Sequence, residues 1–345
     1  MKLLDFALNL SEADYHNLPA ISYSTIARYC REGYSCIPKL NEPITSSSLT
    51  LGSVLDCLVT RPNDFEKDYF ITKYNPESKG CKIVMELESM SSELGVKSLR
   101  EALLYEEFAK TILDKYDYYK TRTVYKNRIK ELYELEDFYS DVKLAADKVL
   151  ISEAMYNEAL KMYNSLKENP VTNSILFSET QYERYFQLQL RTTIENVDFK
   201  CMFDLLVINH KDKQIIPVDL KTTSSNPWEF SKSFKHWRYD IQARLYTRIL
   251  KNLIKHTEDI YDYKITDYVF IVCNKNYNSP VVFKTDCNLQ EGNIIMGIVP
   301  MEVIVGEDPI KLGLEVYNQI KHYKEGNEYP TEINVNKINK LDLSK

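Results

Sequence analysis

The sequence predicts an α+β protein in which a helical amino-terminal layer precedes a sheet flanked by helices. Three observations carry this expectation. From Leu99 to Leu166, aliphatic and tyrosine positions recur three or four residues apart, the period of a buried helix face. After Pro170 the period changes: Tyr182–Leu188 alternates, and the β-rich apolar runs Phe199–Ile208 and Gln214–Leu220 follow. Helical spacing then returns from Pro227 to Leu253, so one helix is inserted against a mostly antiparallel sheet.

Each element has its own signal. Ser22 or Ser24 can cap a helix through Ile26, Ala27 and Tyr29. A turn-rich stretch (Pro38, Pro43, Ser46–Ser48) leads to a second helix on Leu51, Val54, Leu55, Leu58 and Val59, which Pro62 stops. Residues 63–97 follow no single period. The turn His210–Lys213 separates two strands, the turn Asn274–Pro280 lies between strands Tyr268–Cys273 and Val281–Lys284, and a last helix spans Pro309–Lys324. No Pro/Gly/Ser-rich linker interrupts the chain. The expected organisation is one domain over 1–345: a helical layer to 170, an α/β core over 171–330 and a tail over 331–345.

Composition removes several classes. In 345 residues, 44% are apolar and 27% charged, which is ordinary globular usage and not that of a disordered or collagen-like chain. The longest apolar runs, Ile294–Pro300 and Tyr268–Cys273, fall far short of the roughly 20 residues that span a bilayer. Asp5 comes too early for a signal peptide, so the expected place is the cytoplasm of a bacterial or phage-infected cell, without a membrane partner. The net charge of −6 argues against a histone-like coat for nucleic acid, though not against a local basic cleft. Seven scattered cysteines without a C-x-x-C pair predict reduced thiols and no iron–sulfur cluster. The five histidines are isolated, and glycine-rich phosphate loops are absent.

The chemistry concentrates in Asp204…Asp219-Leu220-Lys221…Gln242-x-x-x-Tyr246. Residues two apart on a strand share a face, so Asp219 and Lys221 point into one pocket, and a neighbouring strand can bring Asp204 beside them. Two carboxylates and a main-chain carbonyl, that of Leu220, form a hard oxygen set suited to Mg²⁺, with Mn²⁺ as a substitute. A divalent ion there would activate water for phosphodiester hydrolysis, with Lys221 orienting or deprotonating that water and helping to stabilise the charge growing on phosphorus. The bare D-x-K pattern is weak, because Asp141-Val142-Lys143 also matches; the upstream acid and the Gln242/Tyr246 helix add the specificity. A salt bridge at a strand end is the competing explanation. Between Lys221 and Lys255 eight bases, among them Lys235, Arg238 and Arg244, stand against two acids, interleaved with Trp228, Phe230, Phe234, Trp237 and Tyr239. Basic side chains suit phosphates and aromatics suit bases. A solvated basic helix whose aromatics are core explains any single residue equally well.

The run Pro217–Thr223, followed by Tyr239–Tyr246, resembles the PD-(D/E)XK nuclease superfamily, closest to RecE-like phage exonucleases and more distantly to lambda exonuclease and RecB-type domains. Ile21–Ser24, Leu51–Val59 with Pro62 and Phe65, Asn169-Pro170 and the Gly313/Tyr317 helix fit the same group. The resemblance implies a restriction-endonuclease-like sheet and a Mg²⁺-dependent exonuclease that resects linear duplex DNA in recombination or repair. It also implies DNA ends as partner, a possible single-strand annealing protein and a possible homo-oligomer. On it, Asp204 and Asp219 are metal ligands and Lys221 the catalytic lysine. Gln242 and Tyr246 support the site, and Glu183, with Glu179 as its competitor, is the strand glutamate. Asp56 stands where the group has histidine, as a further ligand, and Met202-Phe203 replaces the usual Arg-Pro. These departures leave open a DNA-binding or assembly module on a nuclease fold. A single-strand or branched-end nuclease of RecB-like type is the third reading.

Overall fold

The computed structural model describes residues 1–40, 46–91, 95–118, 122–178, 182–277, 279–287, 298–300 and 308–326. Contacts divide the chain into two compact units, Met1–Thr45 with Ser165–Lys345, and Ser46–Asn164.

The first unit is built on a seven-stranded sheet. Its strands are β1 (Tyr182–Ile194), β2 (Val197–Asn209), β3 (Gln214–Thr222), β4 (Lys264–Ile265), β5 (Tyr268–Cys273), β6 (Val281–Thr285) and β7 (Ile298–Pro300). The spatial order is β1-β2-β3-β5-β6-β7, with β4 also pairing β3. Strands β1 and β2 are a hairpin turned by Glu195-Asn196, whose φ angles of 51° and 63° give the two left-handed residues a tight primed turn needs. Strands β2 and β3 are antiparallel in turn.

Helix α1 is Tyr23–Glu32, and between β3 and β5 the chain runs through α2 (Phe230–Trp237) and α3 (Tyr239–Ile254). A helical crossover returns the chain in the same direction, so β3 and β5 are parallel and the sheet is mixed rather than mostly antiparallel. The helix expected over 227–253 is two helices, broken at Arg238, whose φ of 58° is left-handed.

The apolar stripe of α3 (Ile241, Leu245, Ile249, Leu250, Leu253) is buried with Phe199, Phe203 and Phe270 of the sheet. Each such side chain contributes about 1.5–3 kcal/mol of burial free energy. Ser22, rather than Ser24, caps α1 by accepting the Thr25 amide, and Ile26 and Tyr29 enter the same core. A last helix, α4 (Pro309–Lys324), starts at the Asp308 cap. It approaches the sheet through Gly313, where an added Cβ would lie 2.3 Å from the Phe199 ring. Gly313→Ala is therefore expected to destabilise by about 1–3 kcal/mol through overpacking, read as a lower denaturant midpoint with an unchanged m-value.

Lys200 of β2 is buried, 4% exposed. Its Nζ donates to the carbonyls of Tyr15 (2.6 Å), His16 (3.0 Å) and Leu18 (2.9 Å), satisfying the carboxyl end of the short helix Glu12–Asn17. Burial pulls its pKa down to about 8.

The second unit contains the helices Ser47–Thr60, Lys79–Ser91, Leu99–Leu104, Glu106–Lys115, Arg122–Leu132 and Glu136–Ala145 around a core of Ile83, Leu87, Leu99, Phe138 and Tyr139. Ser46 is the amino-terminal cap of the first, so the serine run starts a helix. A parallel pair of short strands, Tyr69–Thr72 and Val149–Ser152, joins them. The expected continuous helix over 99–166 is thus interrupted, at Tyr105 (ψ 74°) and at Ala146 (φ 50°) among other places, and the helix Glu153–Glu168 leads out of the unit. Among the described residues no helix is long and apolar enough to cross a membrane.

Candidate active site

The β2–β3 ladder closes at Leu205–Val218, and the next opposed residues are Asp204 and Asp219. Opposed residues of antiparallel strands project from the same face, with Cβ atoms about 4.5–5.5 Å apart. Here Asp204 Oδ2 accepts the Leu220 N–H at 2.7 Å, so a side chain takes over from the ladder where the strands part.

Asp219 is 1% exposed. Its Oδ1 accepts a hydrogen bond from Gln242 Nε2 at 2.5 Å. Its Oδ2 forms an ion pair with Lys221 Nζ at 2.5 Å, and no described group completes a hydrogen bond to that oxygen. Burial pushes the Asp219 carboxyl up, opposed by the Lys221 charge and the Gln242 amide. Burial by itself lowers the Lys221 ammonium, but Asp219, Tyr239 and Asp204 outweigh it, so Lys221 is held above its ordinary range and stays protonated. The Tyr239 ring lies 4.8 Å from Lys221 Nζ, a cation–π contact from the first turn of α3.

Gln242 and Tyr246 are one turn apart on α3, both buried. Tyr246 packs edge-on against Phe203 and Tyr268, and burial keeps its phenol neutral. Asp219 Oδ2 is taken by the Lys221 ammonium, whereas Gln242 Oε1 and Tyr268 Oη are buried atoms without a hydrogen-bond partner among the described residues. Unsatisfied buried oxygens beside a carboxylate pair are the mark of a missing cation or water. Among the described residues no three His, Cys, Asp or Glu side chains gather into a ligand set. The side-chain carboxylates here are two, and the donor chemistry fits a hard divalent ion that takes its remaining ligands from carbonyl, water and phosphate.

Residues 38–281, more than two thirds of the sequence, match the family described as a PDDEXK-like domain of unknown function (DUF3799). The chain belongs to this family. A comparison with curated proteins found no match. Membership in the PDDEXK-like family shows the PD-(D/E)XK kinship read from Pro217–Thr223 and Tyr239–Tyr246, and the mixed sheet flanked by helices is the restriction-endonuclease-like fold it implies.

Within this PDDEXK-like frame the structure brings Asp204, Asp219, Lys221, Gln242 and Tyr246 together. It does not bring Glu183 there. Glu183 opposes Ile208, four residues along β2 from Asp204, or roughly 13 Å at strand rise. Its carboxylate is held at the sheet's other end by Tyr185 Oη (2.5 Å) and His210 Nε2 (2.9 Å). Glu179 lies outside the described residues. Opposite Asp204 in the β1 register stands Gln187, left-handed at φ 49°, where the ladder skips a pair. Asp56 is in the second unit, half-buried on Ser47–Thr60, with the Thr60 hydroxyl 3.5 Å from its Oδ2.

The basic segment divides by burial and pairing. Arg238 makes two hydrogen bonds to buried Asp240 (3.0 and 3.1 Å) and so clasps the break between α2 and α3. Lys232 pairs with Glu229. Lys235 is exposed and Arg244 half-buried. Phe230 and Phe234 are core, whereas Trp228 and Trp237 are exposed. The sequence reading placed Tyr239 among the aromatics that suit bases and Tyr23 in the Ile21–Ser24 run, but gave neither a contact with Lys221 or Trp237, and did not single out Arg31. Tyr23 Oη donates to the Trp237 carbonyl at 2.7 Å, its ring lies 6.2 Å from that of Tyr239, and the Arg31 guanidinium lies 5.1 Å from the Trp237 ring centre. The signal for Tyr239 was its place three residues before Gln242, and that for Tyr23 its place in Ile21–Ser24; Arg31 had none.

Proposed function

We propose that the protein is a Mg²⁺-dependent deoxyribonuclease, an exonuclease that resects linear double-stranded DNA in recombination or repair. The observation that carries this reading is the opposed pair Asp204 and Asp219 with the Lys221 ammonium on one of the two carboxylates. Asp219 is buried and Asp204 half-buried, and a carboxylate as buried as Asp219 is costly without a compensating cation.

Asp204, Asp219 and the Leu220 carbonyl would hold the ion. The Leu220 N–H points to Asp204, and in a strand the carbonyl of the same residue leaves on the same side. Held there, a divalent ion would supply positive charge for the phosphoryl oxygens and lower the pKa of water. Lys221 orients that water through its ammonium and offsets negative charge growing on the phosphate. Gln242 fixes the Asp219 carboxylate through Oδ1, leaving Oδ2 turned to Lys221. Tyr246 packs beneath, against Phe203 of β2. Lys235 and Arg244 supply phosphate contacts. The preference for duplex ends rests on the resemblance to RecE-like exonucleases.

The test compares linear duplex, covalently closed circle and single strand with Mg²⁺, Mn²⁺ and EDTA. Linear duplex should shorten with either metal, the circle should survive, and EDTA should stop the reaction. Cutting of the circle would make the enzyme an endonuclease. Binding to ends without cleavage in either metal would leave a DNA-binding module.

A further inference from the structure

The chain has two tryptophans, and both are exposed: Trp228 at 63% and Trp237 at 44%. A large ring in water is informative where its setting is organised. Trp237 is held on three sides. Its carbonyl accepts Tyr23 Oη at 2.7 Å, the next residue is locked left-handed by the Arg238–Asp240 clasp, and the His236 ring meets it edge-on at 4.7 Å. The main chain that carries the ring is therefore fixed, and the ring itself meets His236 and Arg31.

The charge beside it is equally selective. Arg28 pairs with Glu32, Lys232 with Glu229 and Arg238 with Asp240. Arg31 is exposed, lies over the Trp237 ring at 5.1 Å, and has no carboxylate partner among the described residues. Two residues past Trp237, Tyr239 touches Lys221, and Tyr23 bridges both: its hydroxyl binds the Trp237 backbone and its ring meets Tyr239. Tyr23 and Tyr239 thus link the exposed indole and its guanidinium to Lys221 of the carboxylate pocket.

We propose that Trp237 is a stacking platform for an unpaired nucleobase of the DNA strand whose phosphodiester occupies the Asp204/Asp219/Lys221 pocket, with Arg31 taking an adjacent phosphate. This rests on the nuclease reading and narrows it: the substrate at the site is a strand end with at least one base out of its pair. An indole face accepts any base, so the platform confers preference for unpaired over paired nucleotides without reading sequence.

The test uses the full chain and the fact that Trp228→Phe leaves Trp237 as the sole tryptophan. An oligothymidylate and an abasic strand of the same length are titrated with Ca²⁺ in place of Mg²⁺. In Trp228→Phe, oligothymidylate should quench the emission and the abasic strand should not. By anisotropy, Trp237→Ala should weaken oligothymidylate binding about 5- to 100-fold and leave abasic binding unchanged, while Trp237→Phe restores most of the loss. Equal weakening of both strands, quenching by both, or no binding of oligothymidylate would overturn the platform. Base-dependent quenching in a protein that never cuts DNA would uphold the platform and end the nuclease reading. Cleavage without base-dependent quenching would do the reverse.

Discussion

Replacing Lys221 by methionine should slow DNA hydrolysis by about 10²–10⁴-fold while the protein stays folded. The ammonium is the only cation within ion-pair distance of Asp219 among the described residues, and Tyr239 and two carboxylates hold it there. Without it, Asp219 faces an apolar stem in a buried site. Burial already pushes that carboxyl up, so in the absence of metal it can take a proton instead of keeping an uncompensated charge. The fold therefore survives, as circular dichroism and a thermal melt would verify. Metal affinity gives the sharper readout. On the proposed reading lysine and cation would compete for Asp219 Oδ2, so calorimetric Mg²⁺ binding should be kept or strengthened in Lys221→Met while turnover is lost. Wild-type turnover in the variant would remove Lys221 from the chemistry, and lost metal binding would make it a structural residue.

Lys200→Met should cost about 1–3 kcal/mol of stability, because it leaves buried carbonyls without their donor. Three carbonyls at the end of the Glu12–Asn17 helix take their donors from this one ammonium, and a thioether offers none. The pH dependence gives an independent check. Burial lowers the folded-state value to about 8, whereas the unfolded chain holds the proton to about 10.4. Between those values the unfolded state binds more protons, so the contribution of Lys200 to stability rises with pH across that window. Subtracting the Lys200→Met profile from that of wild type should isolate this positive slope. A flat difference would mean that the carbonyls fully offset desolvation.

What was legible in the sequence follows from what local pattern can encode. Strands β2 and β3 announced themselves because both faces are buried, and the run Pro217-Val218-Asp219 placed the acid at the end of an apolar strand. Asp219 and Lys221 share a face through simple alternation, and Gln242 and Tyr246 through one helical turn. What failed was longer in range. The parallel pairing of β3 with β5 depends on where the crossover returns, which no residue on either strand specifies. Arg238 read as one more base on a helix because its left-handed backbone is fixed by Asp240, two residues on, without glycine or proline to mark the break. Glu183 matched the motif in type and order, yet a left-handed residue at Gln187 and four residues of strand separate it from the level of Asp204. Arg31 and Tyr23 meet Trp237 and Tyr239 across some two hundred positions, beyond the reach of any spacing rule.

The bond from Asp204 to the Leu220 amide has a bearing on how relatives of this protein are to be read. Because a carboxylate closes the sheet where a carbonyl ordinarily would, position 204 answers to architecture as well as to the ion proposed for it. A lineage that abandoned hydrolysis would still be held to aspartate or asparagine there, since a residue without an acceptor strands a backbone amide. An intact acid at 204 is thus weak testimony that a homologue is active, and the residue at 221 is the better witness.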